Sequence, residues 1–155
     1  MARPIALVTG ASAGIGTVFA QRLANDGYDL VLVARDRERL EKLAAELPTE
    51  CEVLSADLTD AAELRRVEAR CADTAAPLDL LVNNAGFGTA GSFTELDVDT
   101  EEREIRLNVL ALVRLTHAAL CPMVERGSGG VINVSSLAAY QPGPYNATYA
   151  ATKAF

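Results

Sequence analysis

The chain has 155 residues, half of them hydrophobic, with a net charge of −7 and a pI near 4.7. That length suits one domain with a sizeable core. The acidic balance excludes a broad nucleic-acid-binding face but leaves room for a local basic spot facing one phosphate. Cys51, Cys71 and Cys121 are odd in number and lack C-x-x-C spacing, so they read as free thiols of a reducing compartment. After Arg3 comes only the short apolar run 5–8, less than a signal peptide needs. The longest apolar stretch, 105–123, is broken by Arg106, Asn108, Arg114 and His117 and falls short of a membrane span. A cytoplasmic chain without membrane or nucleic-acid contact is expected.

Short apolar runs alternate with amphipathic ones. Buried strands are predicted over 4–9 (PIALVT), 29–34 (DLVLVA), 51–56 (CEVLSA), 78–82 (LDLLV) and 130–135 (GVINVS), runs that suit parallel strands covered on both faces. Between them lie four predicted helices. The first, 14–26, presents Ile15, Val18, Phe19 and Leu23; the second, 37–47, presents Leu40, Leu43, Ala44 and Leu47 and stops at Pro48. The third, 60–75, presents Leu64, Val67 and Cys71, with Thr59 or Asp60 as its cap. The longest, 100–126, has Thr100 as its cap and Pro122 to bend or end it. Its middle is apolar on most sides, which predicts contact with the sheet and with a partner subunit. Strand–helix alternation gives right-handed βαβ units and an α/β, doubly wound parallel sheet of the Rossmann type with five strands. Ligands of such sheets bind beyond the C-terminal strand ends, and the polar and glycine-rich stretches 9–16, 35–36, 57, 83–86 and 135–136 all fall there.

The stretch 9–16 reads T-G-A-S-A-G-I-G between the first strand and the first helix. Its glycines allow a tight turn, and a helix N-terminus offers free N–H groups to a pyrophosphate. The spacing is G-x3-G-x-G, and no Gly-Lys-Ser/Thr follows, which argues against an ATP-type loop. At the end of the second strand stands Arg35 rather than an acid, and Asp36 comes late for a ribose. An arginine here accommodates a 2′-phosphate, so NADP(H) is favoured over NAD(H); the alternative is an arginine that merely opens a charged helix.

Near the end, Ser136, Tyr149 and Lys153 stand in the order S-x12-Y-x3-K. A tyrosine and a lysine four apart share one helix face. A lysine cation beside a phenol favours the phenolate, a group suited to proton transfer. His117 is the single histidine, with no second histidine or cysteine at ligand spacing, so a metal role and a Ser–His triad find no support.

Together these residues resemble the classical short-chain dehydrogenase/reductase family. The motifs run in order through nearly the whole chain: the T-G-x3-G-x-G turn, Asp57-Leu58, Asn83-Asn84-Ala85-Gly86, Asn108, Ser136 and Tyr149-x3-Lys153. The resemblance implies hydride transfer between a nicotinamide cofactor and a small-molecule carbonyl or alcohol. It gives Tyr149 the proton, Lys153 the phenolate and the ribose, Ser136 the substrate oxygen, and Asn108 a relay water. It assigns cofactor contacts to Gly10, Ser12, Ile15, Gly16, Arg35, Asp57, Leu58, Asn83, Ala85, Gly86, Tyr149 and Lys153. Three alternatives stay open: Asp57 as the start of a plain turn, 83–86 as supporting structure, and Asn108 as a satisfied buried amide.

Family members continue past the Y-x3-K helix, so the resemblance implies one dinucleotide-binding domain, 1–155, incomplete at its C-terminus. A marginally stable, poorly active product is then expected, and a non-catalytic NADP-binding fragment or an inactive remnant is the alternative reading. The long helix is the expected surface of a homo-oligomer. The segment 141–146 (QPGPYN) is the one substrate-side loop visible in the sequence, and it names no substrate.

Overall fold

The computed structural model describes residues 3–141 and 143–155. Five parallel strands form one sheet: β1 (Ile5–Thr9), β2 (Asp29–Ala34), β3 (Cys51–Ser55), β4 (Leu80–Asn83) and β5 (Gly130–Asn133), in the order β3-β2-β1-β4-β5. The expected fold class is therefore observed. The helices are α1 (Gly14–Asn25), α2 (Arg37–Glu46), α3 (Ala61–Cys71), α4 (Val98–Ile105), α5 (Leu112–Arg126) and α6 (Ala147–Ala154). A π-helical stretch, Arg106–Ala111, joins α4 to α5, and a 3-10 turn, Leu137–Ala139, follows β5.

Alternation along the strands divides the core into two faces. Leu7, Val31, Val33 and Leu81 pack with Leu64 and Val67 of α3 and Leu115 and Ala119 of α5. Ala6, Val8, Leu30, Leu32 and Val82 pack with Ala20 and Leu23 of α1 and Leu40 and Leu43 of α2. Strand order reverses at β1, which pairs with β2 on one side and β4 on the other. The glycine turn after β1 therefore opens at the switch point, where such sheets bind ligands.

Several boundaries depart from expectation. In α1, Ile15 and Val18 are about 60% exposed, and Gly16, Ala20, Leu23 and Ala24 form the buried face instead. The fourth strand starts at Leu80; just before it the Asp79 carboxylate accepts the Ile5 amide at 2.9 Å at the base of β1. The long helix is capped by Asp97, not Thr100. The Thr100 amide and hydroxyl both donate to that aspartate, at 3.0 and 2.7 Å. Pro122 does not end the helix; it sits on the buried face, and the stop is Gly127, a left-handed C-cap with φ 69°.

The three helical segments make a continuous 29-residue rod, Val98–Arg126, which is long and apolar enough by length and composition to cross a bilayer. That corrects the expectation that no stretch reaches such a length. Its inner face packs Leu115, Ala119 and Met123 into the core, its first turns carry Glu101, Glu102, Arg103 and Glu104, and its outer face leaves Ile105, Leu110, Val113 and Val124 exposed.

Candidate functional site

A cavity of about 910 Å³ lies over the C-terminal ends of β1, β2, β3 and β4, at the upper end of the range for small-molecule sites. Gly10, Ser12 and Ile15 line it from the glycine turn and the start of α1, Arg35 and Asp36 from just after β2, Asp57 and Leu58 from after β3, Ala85 and Gly86 from after β4, and Tyr149 and Lys153 from α6.

The turn is tight enough to dictate its glycines. A Cβ on Gly16 would lie 2.1 Å from the Gly10 carbonyl oxygen, so only glycine lets the helix start this close under the turn. Gly16 thus acts from below the cavity rather than in its wall. Asn84 braces the same turn: its Nδ2 donates to the Thr9 carbonyl at 2.9 Å, while the Thr9 hydroxyl accepts the Asn84 and Ala85 amides at 2.9 and 3.0 Å.

The start of α1 differs from the starts of its neighbours. Helices α2, α3 and α4 are capped by Asp36, Asp60 and Asp97. At α1 the cap residue is Ala13, with no side-chain cap bond and no acid in the first turn. Its first N–H groups and its positive dipole end are left for an anion in the cavity. This is the cradle that a pyrophosphate requires.

Charge at the far end is mixed. Asp36 accepts the Arg39 amide at 3.0 Å and pairs with the Arg39 guanidinium at 3.1 Å, so its carboxylate is committed to the helix start. Arg35 is exposed at the cavity and enters no ion pair among the described residues. Asp57 Oδ1 accepts the Thr59 hydroxyl at 2.7 Å and the Thr59 amide at 2.9 Å, so the turn foreseen as an alternative is present. Burial works to raise the Asp57 carboxyl, but those bonds and the nearby Arg35 and Arg103 charges outweigh it and hold it below the ordinary range.

Tyr149 and Lys153 come together as their spacing requires. The lysine Nζ sits 6.0 Å from the centre of the tyrosine ring and donates to the Val134 carbonyl at 3.1 Å. The ring lies against Gly88, where a Cβ would fall 2.5 Å from it. Ser136 is the cap of the 3-10 turn, its Oγ accepting the Ala138 amide at 3.2 Å. Ser135 instead donates to the Lys153 carbonyl at 2.7 Å. Asn108 is 3% exposed within the π-helical stretch. Its Oδ1 accepts the Phe87 amide at 3.1 Å, and its Nδ2 donates to the Phe87 carbonyl at 2.8 Å and the Thr152 hydroxyl at 2.9 Å. Asn83 is buried, its amide donating to Thr116 and Asn133 at 2.9 Å each, so its side chain ties β4 to β5 and α5. Of the loop 141–146, Pro142 lies outside the described residues.

Sequence reasoning missed Gly88, the buried acids Glu101 and Glu104, and the threonines Thr148 and Thr152. The flanking N-A-G-F-G pattern was the one signal available for Gly88; the others carry none outside the fold.

A family model for short chain dehydrogenases matches residues 4–155. An uncharacterised oxidoreductase of Staphylococcus epidermidis is 34% identical over 150 residues, covering 97% of this chain and 65% of its own length. The structure of a short-chain dehydrogenase from Sphingobium yanoikuyae in complex with NADPH superposes with a TM-score of 0.93 at 44% identity, covering 98% of this chain and 61% of that one. The bulky-bulky ketone specific alcohol dehydrogenase from Comamonas testosteroni gives 0.93 at 36% identity, with 100% and 65% covered. The chain thus spans somewhat under two thirds of the length of these relatives. With the family model matching 152 of its 155 residues (4–155), on a parallel sheet whose glycine turn, Asn84 brace and Tyr149–Lys153 pair meet at one cavity, the chain belongs to the short-chain dehydrogenase family.

Proposed function

We propose that this chain forms the cofactor-binding and proton-handling part of an NADP(H)-dependent oxidoreductase acting on a carbonyl or alcohol substrate. The observation that carries it is the convergence of Tyr149 and Lys153 on the cavity whose other end holds the uncapped α1 and Arg35. The nicotinamide cofactor, when bound, supplies or accepts the hydride. Gly10, Ser12 and Ile15 surround the phosphates over the α1 N-terminus, and Gly16 lets that turn close. Arg35 faces the 2′-phosphate, since Asp36 is committed to Arg39. Asp57 and Leu58 flank the adenine, with Ala85 and Gly86 along the ribose; Asn83 supports them from behind.

Tyr149 gives its phenolic proton to the carbonyl oxygen during reduction and takes it back during oxidation. Lys153 holds its cation beside the Tyr149 ring and donates to the ribose hydroxyls. The Ser136 Oγ accepts from an amide, so its own hydrogen stays available for the substrate oxygen. Both amide hydrogens of Asn108 are spent on Phe87 and Thr152. We therefore read its side chain as an anchor for the lysine's neighbour rather than as a water ligand.

The test is NADPH oxidation with a panel of ketones and aldehydes, using Tyr149→Phe as control. The variant is expected to lose activity while still binding NADPH; turnover unchanged by it would sink the mechanism. Arg35→Ala is expected to weaken NADPH binding and leave NADH binding unaltered, and equal loss of both would remove the basis for NADP(H). A dinucleotide-binding unit without turnover is the second reading; NADPH binding with no turnover on any substrate would select it. The exposed Ile105, Leu110, Val113 and Val124 of the rod suit a second copy, and sedimentation would show a monomer if that surface is free.

A further inference from the structure

Helix α6 carries Tyr149 and Lys153, yet its own sequence does little to hold it. It is eight residues long, and its cap residue, Asn146, makes no side-chain cap bond. The Oδ1 of Asn146 is buried without a partner. The residue before it, Tyr145, has φ 68°, a conformation costly for a bulky side chain. A short helix with an empty cap does not persist by itself, so tertiary bonds fix its place.

At its far end Ser135 and Val134 hold Lys153, and along its length the bonds fall on two threonines one turn apart, each directly before a site residue. Thr152 accepts from Asn108 at 2.9 Å and precedes Lys153. Thr148 donates to Glu101 Oε2 and precedes Tyr149. Glu101 Oε1 takes the Thr89 hydroxyl, and Thr89 follows Gly88, on which the Tyr149 ring rests. The Thr89 amide donates to Glu104 Oε2 at 2.8 Å, and the Thr89 hydroxyl oxygen, its one hydrogen turned to Glu101, lies 3.0 Å from the same atom. Thus one carboxylate holds both the side chain that precedes Tyr149 and the side chain that follows Gly88, on which the ring lies. It also brings negative charge to the first turn of α6, where the dipole favours it.

The arrangement is costly for a merely structural contact. Glu101 is 7% exposed and Glu104 0%, neither joins an ion pair among the described residues, and Glu104 Oε1 is buried with no partner. Apolar side chains would fill this space at less cost. We propose that Glu101 is a positioning residue for Tyr149, acting through Thr148 and Thr89, as Asn108 acts through Thr152 on Lys153. This rests on the role given to Tyr149 under Proposed function.

The test compares Glu101→Ala, Thr148→Val, Thr148→Ser and the double variant Glu101→Ala/Thr148→Val in the protein as expressed. The readouts are hydrogen exchange and NADPH-dependent turnover. Loss of a hydrogen bond to a charged group is expected to speed exchange of amides 150–153 about tenfold or more, with β1 and β2 amides unchanged. Thr148→Ser restores the hydroxyl and the slow exchange, and the double variant exchanges no faster than either single one. Turnover falls with KM for NADPH unaltered. Unchanged exchange at 150–153, a serine variant as fast as the valine one, or additive effects in the double variant would overturn the proposal. If Glu101→Ala fails to fold, the Thr148 valine–serine pair decides alone. Tyr149→Phe separates the two readings: if it still turns over, the function assigned to Tyr149 fails, while the exchange data still judge the Glu101 contact.

Discussion

Replacing Gly88 with alanine is the sharpest probe of the tyrosine's seat. The new Cβ would stand 2.5 Å from Cδ2 and 2.8 Å from Cγ of Tyr149, where ordinary carbon contacts lie at about 3.5–4.0 Å. The ring must withdraw by about 1 Å. It is a half-buried side chain and can yield, so the cost in stability is only about 1 kcal/mol. A displacement of about 1 Å in a reacting group is worth up to about 100-fold in rate, or about 2.7 kcal/mol of barrier. The assay is steady-state NADPH oxidation with a reducible ketone, alongside NADPH fluorescence titration and thermal unfolding. We expect kcat to fall about 100-fold with NADPH affinity little changed and Tm lowered by a few degrees. Gly130→Ala is the control, since its Cβ would meet Leu80 at an ordinary 3.6 Å. Wild-type kcat in the Gly88 variant would show that the ring does not work where it rests here, and the positional argument would fall.

The remaining expectations are more local. Gly16→Ala meets a backbone carbonyl at 2.1 Å, which cannot turn aside, so a loss of about 3 kcal/mol is expected, or about 6–12 °C in Tm for a chain of this size; an unchanged Tm would contradict it. Burial pushes the Cys71 thiol up to about 12, while Cys51, raised first by burial and then by Asp29, is half-buried and Cys121 exposed. One thiol should therefore react quickly with a disulfide reagent in the native state and three after unfolding; fast reaction of Cys71 would mean that the α3 face opens readily. The Asp57 carboxyl sits below its ordinary 3.8 in the fold. Its contribution is thus present above that value and lost as pH falls through the lowered one. Thr59→Val removes one of its bonds, so it should lower Tm at neutral pH and move the acid-unfolding midpoint upward, with the difference from wild type fading as pH falls through the lowered value.

Most of the fold was legible because its signals are local. The inner strands β1, β2 and β4 are buried on both faces and so read as apolar runs, the partly covered edge strands β3 and β5 still carry enough apolar residues to be seen, and Asp60 announces a helix start by side-chain chemistry alone. The misses have equally local causes. Thr100 resembles a cap, but Asp97 stands three residues earlier and takes both the Thr100 amide and its hydroxyl. Pro122 looks like a stop, yet the buried face of the rod holds the helix together until Gly127 supplies a left-handed exit. Ile15 and Val18 match the helical period, but Gly16, Ala20 and Ala24 are the residues small enough to bring α1 close to the sheet.

The site divides along the same line. Tyr149 and Lys153 could be paired from sequence because one helical turn is enough to join them, and the glycine turn because its residues are consecutive. What holds them cannot be read this way. Asn84 meets Thr9 across 75 positions, Glu101 meets Thr148 across 47, and Asn108 meets Thr152 across 44. Each of these is a polar side chain that in one dimension looks solvated, and each is partly or wholly buried. A buried polar group must be matched or it destabilises the fold. These long-range matches therefore fix the relative position of the β1 turn, the rod and α6 more tightly than apolar packing, which tolerates small slips. On this argument, the site's reacting groups follow from residue type and spacing, and its precision follows from buried polar pairs between segments far apart in the chain. Substitutions at Thr148 or Thr152 should then disturb function while leaving the spacing motif intact.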